Sequence, residues 1–255
     1  MSLTLTPLQQ FPNIKSGDSI SALILNNLSQ LGLHPIDGDI FVITQKVVSK
    51  SEGRLRNLKT VTPSREAFAL AQETGKDPRF VELVLQESTA VLRKRENILI
   101  VEHKNGFICA NAGIDHSNVK GEFGDDLDWV LLLPEDADRS ARQIRRELES
   151  ATGARLGVLI IDSHGRAWRN GTEGVAIGIS GMPGVVDLRG TTDLFGFKLQ
   201  ITQVAAADEL AAGASLLMGQ AAEGTPVVHV RGFPYALRES NLGELLRPKD
   251  LDLFR

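Results

Sequence analysis

Two acids stand out by their surroundings. Asp115 lies in Ala110-Asn111-Ala112-Gly113-Ile114-Asp115-His116-Ser117-Asn118, after an apolar, strand-like run. Asp162 closes a second apolar run, Leu156-Gly157-Val158-Leu159-Ile160-Ile161, and leads into Ser163-His164-Gly165-Arg166. Carboxylates at the ends of two buried strands suggest a shared site for a hard cation, because Mg²⁺ and Mn²⁺ prefer oxygen ligands. With phosphates nearby, the pair would serve a nucleotide-dependent enzyme. The plainer reading is that an Asp at a strand end only caps the turn that follows. Two such acids, each leading into serine and a polar loop, tilt the balance toward a site.

Positive charge lies close by in sequence. Lys46 and Lys50 flank Val47-Val48-Ser49, with Arg54 and Arg56 beyond. Lysine is a good point-charge partner for phosphate; lysines at this spacing also protect a sheet edge. Arg166 and Arg169, within Gly165-Arg166-Ala167-Trp168-Arg169-Asn170-Gly171, would suit carboxylate or phosphate recognition, or simply stack on the tryptophan. His116 and His164 read as hydrogen-bonding loop residues outside the metal set. The lone cysteine, Cys109, sits in an apolar run and reads as a small buried hydrophobe; a single cysteine allows no intramolecular disulfide and suits a reducing cytosol.

Several chemistries are excluded. There is no G-x-x-x-x-G-K-[ST], no H-E-x-x-H, no C-x-x-C and no G-x-S-x-G. Gly178, Gly181 and Gly184 are spaced by three and do not form G-x-G-x-x-G. With 28 basic against 32 acidic residues, net charge −4, bulk electrostatics do not favour a nucleic-acid partner. No signal peptide or long apolar span is evident, so a cytoplasmic protein with no membrane partner is expected.

The elements that must position these residues read as follows. Thr4 to Leu8 is a first strand, and Phe11 to Gly17 a loop. Asp18-Ser19 caps a helix with apolar Ile20, Leu23, Ile24, Leu28 and Leu31, stopped by Gly32. After an Asp37-Gly38 turn, Asp39 to Thr44 is a buried strand, which Gln45 to Ser51 continues. Helices open near Pro63-Ser64 and run from about Pro78 to Ser88. Strands near Val91 and at Ile98–Glu102 precede an Asn105-Gly106 hairpin turn and the return strand Phe107–Ala110. Trp129–Leu133 is a strand, Asp136–Ser150 a helix, and Leu156–Ile161 the strand before Asp162. Glycine-punctuated residues 165 to 190 read as a flexible, turn-rich middle. Ala205–Met218 is a helix, Gly219–Gly224 a loop, Val227–Val230 a strand, and Glu239–Arg255 polar helix or loop. Helices and strands mix without a βαβ rhythm, which favours α+β.

The chain resembles the coenzyme F420-0:L-glutamate ligases (F420 γ-glutamyl ligases). The matching segments are Lys46–Arg54, Ala110–Val119, Leu132–Asp136, Asp162–Arg166, Trp168–Gly171, Ala176–Gly181, Ala207–Ala211, Leu217–Gln220 and Pro226–Gly232, in family order over nearly the whole chain. The resemblance implies GTP-dependent γ-linked ligation of L-glutamate onto a deazaflavin precursor. It also implies Mn²⁺ or Mg²⁺, activating K⁺, and a two-lobed mixed-sheet ligase fold, neither Rossmann nor P-loop, in an intertwined homodimer. One lobe would comprise residues 1–95 plus 195–255, on the nucleotide side, and the other 96–194, with the acids. Matching residue by residue places Asp115, Asp162, Ser163 and Gln220 at metal positions. It places Pro12, Asn13, Ile14, Gln45, Lys46, Lys50, Asn118 and the loop Met218, Gly219, Gln220, Ala221, Ala222, Glu223, Gly224 and Thr225 at nucleotide positions. Lys50, Arg166 and Arg169 would supply catalytic positive charge. Ser163 often corresponds to Thr, which keeps the hydroxyl; Gln220 can correspond to Glu, and the neutral amide here would lower the negative charge of the site. The alternatives are a γ-glutamyl ligase for another cofactor acceptor, or a nucleotide- and metal-binding homologue without turnover.

Overall fold

The structure, a computed structural model, describes residues 2–121 and 125–253. Met1 and the last two residues of the expected C-terminal tail lie outside the described residues. The elements run β1 (Thr4–Leu8), α1 (Ile20–Gln30), β2 (Ile40–Thr44), α2 (Gln45–Ser51), β3 (Leu55–Asn57), α3 (Arg65–Thr74), α4 (Pro78–Gln86), β4 (Ser88–Arg95), β5 (Ile98–His103), β6 (Ile108–Ala110) and β7 (Trp129–Leu131). They continue with α5 (Ala137–Thr152), β8 (Gly157–Gly165), β9 (Thr172–Ser180), β10 (Val186–Asp187), β11 (Gln203–Val204), α6 (Ala206–Met218) and β12 (Val227–Arg231). The class is mixed α+β, as the sequence indicated.

The main sheet has five strands in the order β1-β12-β2-β8-β9. β2 and β8 are parallel, and the other neighbours antiparallel. Period-two alternation decides which face each residue serves. Phe41, Ile43, Val158 and Ile160 pack toward α1 and α5, with Ile24, Leu28, Ile144 and Leu148. Ile40, Val42, Leu159 and Ile161 pack toward α6, with Leu210, Ala211 and Ala214. β2 is therefore buried on both faces, which explains its unbroken apolar run. The alanine-rich face of α6 lets it lie close to β9: a Cβ added at Gly174 would come within 2.6 Å of the Ala211 carbonyl oxygen.

The caps follow the sequence. Ser19 accepts from the Ala22 amide and Asp136 from Arg139, while Gly32 and Gly153 end their helices with positive φ. The Asn105-Gly106 turn joins β5 to β6 in an antiparallel sheet with β4. Cys109 is buried, and desolvation, helped by the charge of Asp162, pushes its thiol up to about 12, so it packs rather than reacts.

Three expectations need correction. Gln45–Ser51 is a helix, not a continuation of β2. Seven residues are too few to show a 3.6-residue period, and the adjacent valines mimic a strand; Lys46 and Lys50 therefore guard no sheet edge. Asp162 does not end its strand, because β8 runs on to Gly165 and pairs with β9 throughout. The glycine-rich middle is not all turn, since Thr172–Ser180 is a nine-residue strand that is buried over most of its length.

One ionic cluster ties the sheet together. Asp39, just before β2, is 1% exposed. It accepts from Arg231 Nε and Nη2 at 2.9 and 2.7 Å, from His229 Nε2 at 2.8 Å and from the Ile36 amide at 3.0 Å. Burial alone would raise its pKa, but the Arg231 and His229 bonds outweigh it and hold the carboxyl down at about 2. Because the folded-state pKa is depressed, this stabilisation is present above about pH 4 and lost as pH falls toward 2. Replacing Asp39 with Asn should destabilise the protein by about 3 kcal/mol at pH 7. Paired urea melts should show that gap closing between pH 4 and pH 2; a gap independent of pH would rule out this account.

Candidate active site

Three chain segments meet at one end of the main sheet. The parallel pairing sets Thr44, at the end of β2, beside Ile161 of β8. β12 runs the other way, so the segment that enters it comes to the same end, and the Thr44 amide donates to the Pro226 carbonyl at 2.9 Å. Residues after β2, at the end of β8 and before β12 therefore surround one open cavity of about 670 Å³.

The fourth wall is the segment around Asp115. Its backbone exchanges two hydrogen bonds with Leu131 of β7, at 3.0 and 2.9 Å, and β7 pairs with β3, which follows α2. Asn111, Ala112 and Gly113 all have positive φ, at 53, 54 and 65°. For Ala112 this costs about 1–2 kcal/mol. At Gly113 a Cβ would stand 2.6 Å from Leu133 Cδ1, so only glycine fits. This tight turn redirects the chain from β6 and delivers Asp115 to the cavity.

Asp115, Asp162, Ser163 and Gln220 all line that cavity. Asp162 Oδ2 lies 3.0 Å from His164 Nε2, and Ser163, next along the strand and pointing the other way, donates to Gln220 Oε1 at 2.9 Å. Lys46 Nζ is 3.4 Å from Asp115 Oδ2 and donates to the Ser117 hydroxyl and carbonyl at 2.7 and 3.2 Å. Lys50 Nζ donates to the Asn118 backbone carbonyl at 2.8 Å, and the Asn118 side chain donates through Nδ2 to the Ala221 carbonyl at 2.9 Å. The four-residue spacing of the lysines puts both on one face of α2. Burial, and then the neighbouring Lys46 charge, lower the pKa of Lys50. Such a group gains from an anionic partner.

Pro12, Asn13, Ile14, Lys46, Lys50, Asn118 and the loop from Met218 through Gly219, Ala221, Ala222, Glu223 and Gly224 to Thr225 also border the cavity. Three expected site residues do not. Gln45 is fully buried behind Asp115. Arg166 pairs with Glu173, Nε to Oε1 at 3.0 Å, and Arg169 is exposed in the turn beyond β8. The cavity also includes Thr44, Thr172 and Ser215, which the sequence did not single out, and His164, which was read as a loop residue but lies within β8. His164 could have been found from its two-residue spacing to Asp162 on a strand, which puts both on one face. His116 stacks on Phe80, with ring centroids 5.4 Å apart.

The chain matches the family model described as F420-0:Gamma-glutamyl ligase over residues 9–232. It belongs to that family. It is 45% identical to the coenzyme F420:L-glutamate ligase of Methanothermobacter thermautotrophicus, with the whole of both chains covered. It is 44% identical to that of Methanocaldococcus jannaschii, over 96% of this chain and 94% of the relative, and 42% identical to that of Archaeoglobus fulgidus, over 100% and 97%.

The donor set suits a hard divalent cation. Among the described residues no group of three or more His, Cys, Asp or Glu side chains is placed to hold a metal ion, so the candidate set is two carboxylates with hydroxyl and amide oxygens. That is a lean set, of the kind Mg²⁺ completes with water and substrate phosphate. The electrostatics agree. Burial first, and repulsion from Asp162 second, raise the Asp115 carboxyl from 3.8 to about 6, despite Lys46 and Gln45. From about pH 4 to 6 the folded chain keeps a proton that the unfolded chain releases, so stability falls with rising pH. Above pH 6 the penalty is about 2–3 kcal/mol. Asp115→Asn should therefore raise the melting temperature in EDTA at pH 8 and leave it nearly unchanged at pH 4. A lower melting temperature at pH 8 would refute the view of Asp115 as a strained, uncompensated charge.

Proposed function

We propose that the protein is a ligase that joins L-glutamate to the deazaflavin precursor of coenzyme F420, consuming GTP. Full-length similarity to relatives named coenzyme F420:L-glutamate ligase supports the ligase and its substrates. For the finer chemistry, the observation that carries most weight is the pairing of two acids with two lysines in one cavity.

A carboxylate and an amine do not condense in water unless the carboxylate is activated. In this reading a carboxylate oxygen of the acceptor attacks the γ-phosphorus of GTP, and GDP leaves. The α-amine of glutamate, having lost its ammonium proton to solvent, attacks the acyl carbon of the resulting acyl phosphate; the C–O bond breaks and inorganic phosphate departs, with the second amine proton going to the phosphate or to water. Triphosphate, acceptor carboxylate and glutamate all crowd negative charge into one place. Lys46 and Lys50 provide fixed positive charge, preorganised by the Ser117 and Asn118 contacts. The loop Met218–Thr225 would hold the nucleotide together with Pro12, Asn13 and Ile14. Asp115, Asp162, Ser163 and Gln220 would hold Mn²⁺ or Mg²⁺, which would offset the charge where phosphate and carboxylate meet. K⁺ is an accompanying ion in the same reading. Arg166 and Arg169, away from the cavity wall, would take part only if substrate extends past the end of β8.

We assign the protein a homodimeric state as well, with one lobe (1–95 plus 195–255) against the other (96–194) in each subunit. Its support is the hairpin between β10 and β11, where Leu194 and Phe195 are 97% and 95% exposed and Phe197 and Ile201 are also exposed. Apolar side chains concentrated on one projecting hairpin mark an interaction surface.

Incubation with GTP, Mn²⁺, glutamate and the precursor should add glutamate mass increments to the precursor. GTP hydrolysis without that product would favour another acceptor, and binding without hydrolysis a non-catalytic homologue. Asp115→Asn and Asp162→Asn should each abolish turnover in a folded protein, and Lys50→Ala should slow it by on the order of 10²–10³; wild-type rates would sink these roles. Light scattering should report a dimer that Phe195→Asp with Phe197→Asp converts to a monomer. A wild-type monomer would remove the dimer from this reading.

A further inference from the structure

Gln45 has an unusual position for a residue beside a nucleotide cavity. It opens α2, is fully buried, and does not border the cavity. Its Nε2 donates to Asp115 Oδ2 at 2.7 Å, and its Oε1 accepts from Ser49 Oγ at 2.9 Å. Ser49 is also fully buried, and it lies one helical turn on, at the spacing that brings side chains together.

The chemistry fixes the direction of this relay. An ionised carboxylate only accepts, so the amide nitrogen must face Asp115. The amide oxygen must then face Ser49, whose single hydroxyl proton satisfies it. Neither amide orientation nor hydroxyl direction is left free. Asp115 Oδ2 is thereby held by Gln45 from behind while Asp115 itself faces the cavity. Lys46, by contrast, reaches the same oxygen at 3.4 Å from the cavity side and is half-buried.

We infer that Gln45, locked by Ser49, is the positioning residue for Asp115, fixing its carboxylate so that it faces the cavity ready to take a divalent cation. The inference rests on the cation reading of Asp115 given above. It assigns Gln45 a role different from nucleotide contact: it acts only through the acid. A neutral amide suits this task. It supplies a hydrogen bond without adding charge, so it orients the carboxylate without competing for the site as a cation does.

The test is a titration of the full-length protein with MnCl₂ alone at pH 8, with unbound Mn²⁺ read by its electron paramagnetic resonance signal. Gln45→Met keeps the buried volume and removes the donor. It should weaken Mn²⁺ binding about 10- to 100-fold, as loss of an orienting partner typically does. Ser49→Ala, a milder change, should weaken it in the same direction by less, and it serves if Gln45→Met fails to fold. Lys46→Met removes the other partner of Asp115, a competing cation, and should leave Mn²⁺ binding as tight or tighter. Wild-type affinity in Gln45→Met or, if that variant is unfolded, in Ser49→Ala would overturn the positioning role while leaving the cation site standing. Equal weakening by Lys46→Met would overturn it too, because any lost contact would then suffice. Wild-type protein that takes up no Mn²⁺ would overturn the cation reading and this role with it.

Discussion

The parallel pairing of β2 with β8 is the constraint on which the site depends. It aligns Thr44 with Ile161, so the helix leaving one strand and the acid on the other emerge side by side. The antiparallel partner on the other flank of β2 then brings the Met218–Thr225 loop to the same end. Ligands in mixed α/β sheets tend to bind beyond the carboxyl ends of parallel strands, and here a single parallel pair is enough to create that position. The Asp39 cluster holds the opposite end of β2 to β12, and so fixes the register that everything at the cavity inherits.

A second theme is charge held at a cost. Asp39 and Asp115 are both largely removed from water, yet their carboxyls move in opposite directions. Asp39 has a guanidinium and an imidazole within hydrogen-bond distance, so its charge is satisfied. Asp115 has an amide and a longer ammonium contact, with Asp162 nearby to repel it. One acid is structural and the other is kept unsatisfied. Groups whose environment penalises the charged form gather where ligands bind, and the left-handed turn at Asn111–Gly113 adds backbone strain at the same place.

Much of this was legible in the sequence. Asp18-Ser19 and Gly32 marked the two ends of the first helix, the Asn105-Gly106 turn announced its hairpin, and both acids came out beside the cavity. What could not be read was local structure shorter than its own period. The helix from Gln45 to Ser51 passed for strand because β-branched valines and seven residues fit either form. Glycines among Thr172–Ser180 hid a strand, since Gly174 and Gly178 are there for close packing against α6 and the start of α5 rather than for turning. Family motifs identified which residues belong to the site but not which layer each occupies. Gln45 stands behind the wall, and Arg166 turns to Glu173.

The short helix after β2 also bears on how this region can diverge. Its face is set by the point at which the strand stops, and each residue of an α-helix turns the face by about 100°. One residue gained or lost between Thr44 and Lys46 would swing both lysines away from Ser117 and Asn118 and draw the amide relay off Asp115, even with every side chain retained. The length of this segment is therefore as much a part of the site as its residue types, because the point where the strand stops decides which contacts those side chains can make.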